Sequence, residues 1–154
     1  MSSRIDQRLN DLGITLPEAM APVANYVPYV ISGNMVYVSG QTSRDADGLI
    51  TGQLGAGPDI ETGRAAARSC ALALIAQLKA ACGGDLDRVR RVVKLVGFVN
   101  SAPGFTEHPQ VINGASDLMV EVFGDSGRHA RSAVGAPSLP MGIAVEVEGV
   151  FEIA

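Results

Sequence analysis

The stretch FGDSGRHARSAVGAPSLPMGIAVEVEGVFEI (residues 123–153) sets the reading of this chain. Its second half alternates. Ile143, Val145 and Val147 point to one side of an extended segment and Glu146, Glu148 and Glu152 to the other, as side chains on a strand must. This predicts a closing strand over residues 143–153, dry on one face, with a Pro-rich turn before it and a further strand over residues 131–134. Arg131 opens that earlier strand amid apolar neighbours. Its planar fork of donors matches a carboxylate or phosphate in two parallel bonds, so it asks for an anion. Two partners fit: one of the three glutamates, in an internal salt bridge, or a small carboxylate-bearing ligand. For Glu148 and Glu152 a solvated edge is the plain reading. A glutamate in this row could also line a pocket, where it would orient water or pass a proton.

Working outward, VRRVVKLVGFV (residues 89–99) predicts a strand that is apolar on both faces beyond its arginines, apart from Lys94. Such strands are covered on both sides. A helix before it can cover one face, and an association of subunits would supply the other. A helix is predicted from Asp59, a good N-cap, to Cys82, stopped by Gly83-Gly84. Ala67, Cys70, Ala71, Leu74 and Leu78 form its buried stripe, and Arg64 and Arg68 its solvated face. A second long helix starts at Thr106, tolerates Pro109 in its first turn, and ends at Gly124. Residues 26–41 read as a hairpin turning at Gly33-Asn34. Residues 42–58, rich in Gly, Asp and Ser, read as a long loop with a short strand near Leu49 and Ile50. At the start, Ser3 caps a short helix with Ile5, Leu9 and Leu12 on one face and Gly13 at its end, followed by an aperiodic lead-in over residues 16–23. The order predicts an α+β fold, with two long helices on one face of a sheet and a short N-terminal helix.

The 154 residues suffice for a single domain, taken as residues 1–154, with a real core. Hydrophobic residues make up 47% and charged residues 18%. That is globular composition, with little charge for a monomer's surface, which points to surface buried against another subunit. A net charge of −4, with Arg88, Arg90 and Arg91 as the one basic cluster, argues against nucleic acid as a partner. Neither an apolar run long enough for a membrane span nor a signal-type start is present, so a cytoplasmic protein is expected. Cys70 and Cys82 lie twelve positions apart on one helix, about 18 Å of rise, too far for a disulfide. Two cysteines and two histidines without close grouping predict no metal site.

Other candidate residues are weaker. His108 is expected near a helix start and exposed. His129, two residues from Arg131, would edge a pocket. Ser39 has no sequence-local base to activate it. Gly52, Gly55 and Gly57 are not followed by the lysine and Ser/Thr of a phosphate loop.

The segment SGNMVYVSGQ, the later Arg-Ser-x-Val with Leu-Pro after it, and the Val-Glu-Val-Glu strand together resemble the RidA (YjgF-like) family, over residues 26–151. The closing segment looks like a distinct branch of it. The resemblance implies a chorismate-mutase-like fold and a homotrimer with clefts between subunits. It also implies cofactor-independent deamination of reactive enamines and imines, such as 2-aminoacrylate, to keto acids and ammonia. Carried over by position, Arg131 grips the substrate carboxylate and Glu146 stands near the hydrolytic water. Tyr26 is the pocket tyrosine before the hairpin, and Gly40 lines the cleft with its backbone. Ala133 stands where many members have a cysteine, and Ser116 near where the family often has an asparagine. A carboxylate-binding trimer without turnover, and an endoribonuclease, are the alternative readings.

Overall fold

The computed structural model describes residues 2–21 and 24–154. The chain opens with helix α1 (Arg4–Asp11). Ser3 accepts from the Asp6 amide while the Asp6 carboxylate accepts from the Ser3 amide, a reciprocal cap that satisfies two otherwise orphaned donors. Ile5 and Leu9 are buried, and Gly13, at φ +69°, ends the turn in a conformation glycine adopts without cost. The final residues of the lead-in, 22 and 23, lie outside the described residues.

The expected hairpin forms from β1 (Tyr29–Ser32) and β2 (Met35–Thr42), with Gly33-Asn34 between them. Tyr26 falls before the first strand. Residues 42–58 are more ordered than a plain loop. A small hairpin of β3 (Arg44–Asp45) and β4 (Gly48–Leu49) occupies their first part, and single bridges join Thr51 to Ile143 and Leu54 to Ser101. Leu54 is fully buried, so this segment is pinned to the core through one apolar side chain.

Helix α2 (Ile60–Ala81) starts at Asp59, whose carboxylate accepts from the Thr62 amide, and closes at Cys82. Its stripe of Ala67, Cys70, Ala71, Leu74 and Leu78 is buried without exception. Gln77 is also 1% exposed; its amide reaches the Met20 carbonyl at 3.0 Å and ties the lead-in to the helix. Strand β5 (Val89–Asn100) follows, then helix α3 (His108–Phe123), β6 (Ala130–Ala136) and β7 (Val145–Ile153). Helix α3 begins two residues later than the sequence suggests. Thr106 lies outside it, and Glu107 at the cap position makes no side-chain capping bond.

The five strands lie in the order β1-β2-β7-β5-β6, antiparallel except for the β5–β6 pair. The two long helices pack against each other and lie on one face, α2 over β2 and β7, α3 over β5 and β6. Gly114 permits the close crossing: a Cβ there would collide with the backbone of Arg64 on α2. Arg64 and Arg68 do not simply face solvent. They reach across to Asp117 at 3.6 Å and Glu121 at 3.4 Å on α3.

Val36, Val38, Val92, Leu95, Val99, Val145, Val147 and Phe151 point into the helical layer and are buried. Among the described residues the opposite face has no second layer. There Val30 and Tyr37 are about half exposed, with Val96, Phe98 and Val150 half-buried beside them. Strand β5 is thus apolar on both sides but covered on one.

Candidate functional site

Arg131 sits on β6, the sheet's edge strand, in register with Leu95. Leu95 points into the helical layer, so Arg131 does too, at the margin of that layer beside α3. Its Nη1 donates to Asn113 Oδ1 at 2.7 Å and to Ser116 Oγ at 3.1 Å. These acceptors stand three residues apart on α3, hence on one face of it. Among the described residues Arg131 makes no salt bridge. The internal pairing with a glutamate of the last strand does not form. Glu146 and Glu148 lie in register with Phe98 and Val96, on the sheet face away from the helices, and β5 separates their strand from β6. Asp117 shares a cavity of about 320 Å³ with Arg131, but its carboxylate pairs with Arg64. The guanidinium is therefore held by neutral groups at an open cavity, with no ion-pair partner among the described residues.

His129 lines the same cavity. Its Nδ1 is 2.6 Å from the Gly127 carbonyl and its Nε2 is 2.9 Å from Ser116 Oγ. Burial, reinforced by the Arg131 charge and opposed by the bond to Gly127, lowers its pKa below the ordinary 6.5. Ala133, one pleat on from Arg131, packs its methyl against the core, leaving only its backbone for other contacts.

The second group of residues gathers around the end of β2. Ser39 and Gly40 form a bulge there, between the paired positions Val38 and Gln41. A Cβ on Gly40 would stand 2.9 Å from Glu146 Cδ, so the glycine leaves the space that the carboxyl fills. Glu146 is half-buried, and its pKa is raised by burial and then by the charge of Glu148. Ser39 acts as a tie, its Oγ donating to the Val27 carbonyl at 2.9 Å and its amide to Pro28. Those bonds fix the segment bearing Tyr26, which with Met20, Pro28, Gly40 and Met141 lines a cavity of about 260 Å³.

The six residues singled out in the sequence thus fall into two groups. Arg131, Ser116 and Ala133 belong to the β6–α3 edge; Glu146, Gly40 and Tyr26 belong to the end of β2. One chain does not bring the groups together. Asn113 was not singled out, although it and Ser116 carry helical spacing beside an apolar stripe; the asparagine that meets Arg131 stands one turn before Ser116. His108, expected to be exposed, is half-buried, its Nε2 3.3 Å from Ser101 Oγ and its ring edge-on to Phe105. Cys70 and Cys82 are buried thiols. Burial, with Glu146 nearby, pushes the pKa of Cys70 far up, so it stays protonated.

Residues 6–151 match the family model described as "YjgF/chorismate_mutase-like, putative endoribonuclease". The chain is 56% identical over 154 residues to protein TCP17 of Trypanosoma cruzi, covering 99% of this chain and 96% of that one. It is 30% identical over 140 residues to 2-iminobutanoate/2-iminopropanoate deaminase of Dermatophagoides farinae, covering 91% and 94%. The crystal structure of Atu1372 from Agrobacterium tumefaciens superposes with a TM-score of 0.90 at 50% identity, over 97% of this chain and 92% of that one. The β-β-α-β-α-β-β order, the two helices on one face and the sequence match agree, and the chain belongs to the YjgF/RidA family, with its chorismate mutase-like fold.

Proposed function

We propose that the protein is a cofactor-independent deaminase of small 2-imino and 2-enamino acids, working in clefts between the chains of a homotrimer. The observation that carries this reading is Arg131, a guanidinium without an ion-pair partner among the described residues, held by Asn113 and Ser116 at an open cavity. A 2-imino acid offers the carboxylate that this fork fits. The remaining requirements are a placed water and a group that exchanges a proton. Glu146 suits that duty, because partial burial and Glu148 move its carboxyl toward the working pH.

Hydrolysis balances with water alone. The Glu146 carboxylate takes a proton as water attacks the C=N carbon. The imine nitrogen gains protons, the C–N bond breaks, and keto acid and ammonia leave. An enamine such as 2-aminoacrylate first takes a proton at its terminal carbon to become the imine. Orientation supplies much of the effect in so easy a reaction.

The trimer accounts for two features at once. The apolar sheet face with Val30, Tyr37, Val96 and Phe98 calls for a cover. The Arg131 group of one chain and the Glu146–Gly40–Tyr26 group of another complete a cleft that neither holds alone. The 30% identity to an iminobutanoate deaminase supports the same chemistry.

In the direct test, keto-acid release from freshly generated 2-aminoacrylate is faster with the protein than without it, and Arg131→Ala abolishes the gain. No acceleration by the wild type would overturn the reading. One alternative is a trimer that binds small carboxylates in the same cleft without turnover. Saturable, Arg131-dependent keto-acid binding without turnover of any imine would establish that alternative. The acidic balance speaks against RNA cleavage.

A further inference from the structure

We infer that His129 is a positioning residue for the carboxylate seat, acting on Arg131 through the Ser116 hydroxyl. The inference rests on the proposed role of Arg131 and adds to it the device that aims the guanidinium.

Donor and acceptor roles along the chain of contacts are forced. The Gly127 carbonyl only accepts, so at 2.6 Å His129 Nδ1 carries a proton. In the neutral ring Nε2 is then an acceptor, and the hydroxyl 2.9 Å away donates its single proton to it. That leaves the oxygen lone pairs of Ser116 to accept from Arg131 Nη1 at 3.1 Å. The order is Arg131 to Ser116 to His129, with the His129 Nδ1–H bound to Gly127, and each proton has one place to go. Asn113 Oδ1 takes a second bond from the same Nη1 and fixes the angle.

The far end of this chain is rigid. Gly127 is buried against α3, where a Cβ would collide with the Met119 backbone, so its carbonyl is held by the fold. Burial and the Arg131 charge keep the imidazole neutral, as the proton order requires. The charged groups sharing the cavity are Asp117 from α3, Arg128 beside the imidazole and Arg131 itself. Asp117 pairs with Arg64 and Arg128 with Asp125, so neither replaces Ser116 as the partner of the ring.

The test has two arms. In the first, nitrogen NMR of the histidine rings at pH 7 reads the tautomer of His129 without any ligand. The Nδ1–H form is expected; the Nε2–H form or a charged ring overturns the inference. In the second, calorimetry measures pyruvate binding to the wild type, His129→Ala, His129→Gln, Ser116→Ala and the double alanine variant. His129→Ala is expected to weaken binding roughly tenfold, the scale of one hydrogen bond that supports a charged group. His129→Gln, which can still accept from the hydroxyl, restores most of that. In the Ser116→Ala background the loss of His129 adds little. Losses that multiply, or a glutamine variant as weak as alanine, overturn the inference while leaving the carboxylate seat standing. Wild type that binds no pyruvate and speeds no imine hydrolysis overturns the proposed function instead, and the tautomer still decides the proton order.

Discussion

At the scale of single residues, the candidate site turns on which charges are compensated. Arg131 has neutral partners, and Glu146 is a half-buried carboxyl with Glu148 on the same strand face. Because the folded-state pKa of Glu146 is raised above its ordinary 4.5, its contribution to stability is fully present below pH 4.5 and is lost as pH rises through the folded value. Glu146→Gln is therefore expected to leave thermal stability at pH 7 unchanged or higher. It should lower imine hydrolysis on the order of a hundredfold, the scale of losing a general base. Wild-type turnover should fall as pH drops through the raised pKa and the base takes up its proton; a flat acid limb would show that another group handles the proton. Gly40→Ala probes the same carboxyl. Its methyl would push on the far end of a flexible glutamate, so a fold kept intact by circular dichroism with sharply reduced turnover is the expected pair of results.

At the scale of elements, the α2–α3 crossing holds Asn113 and Ser116 where Arg131 can reach them. That crossing depends on Gly114 lying against the Arg64 backbone, which has no flexible side chain to yield. Gly114→Ala is expected to destabilise the protein by about 1–3 kcal/mol through overpacking, read as a lower Tm, with carboxylate binding weakened in parallel. The interhelical pairs Arg64–Asp117 and Arg68–Glu121 are partly exposed and contribute little by comparison. By contrast, Asp59→Ala, removing the N-cap of α2, should lower Tm slightly with no change in carboxylate affinity beyond that expected from stability.

At the scale of the whole molecule, the sheet is finished on one face and open on the other. Within one chain Val30, Tyr37, Val96, Phe98 and Val150 share the open face, while the two groups of candidate residues stand apart. Light scattering is expected to give three times the chain mass of 16.0 kDa. Tyr37→Glu, which places a charge in the middle of the open face, should yield monomers that lose both turnover and tight keto-acid binding. A monomeric variant with full activity would show that the cleft is complete in one chain.

Sequence by itself determined the main elements and the caps of α1 and α2, because those rest on local chemistry. Ser3 and Asp59 cap, Gly33-Asn34 turns, the α2 stripe repeats at helical spacing, and the last strand alternates. It also marked Arg131 and Glu146 as residues to follow, since an arginine at the head of an apolar strand and a glutamate in a wet row are visible by type; Gly40 and Tyr26 came only from the family resemblance. The partners were decided only by tertiary structure. Arg131 and the last-strand glutamates look like a salt bridge in sequence, but pairing β6 parallel to β5 and β7 antiparallel to it turns them to opposite faces. Asn113 and the chain from Ser116 to His129 depend on how α3 lies along the edge strand, a long-range arrangement that no local spacing encodes. Residues 42–58 gained their order in the same way, from bridges to distant strands and the burial of Leu54.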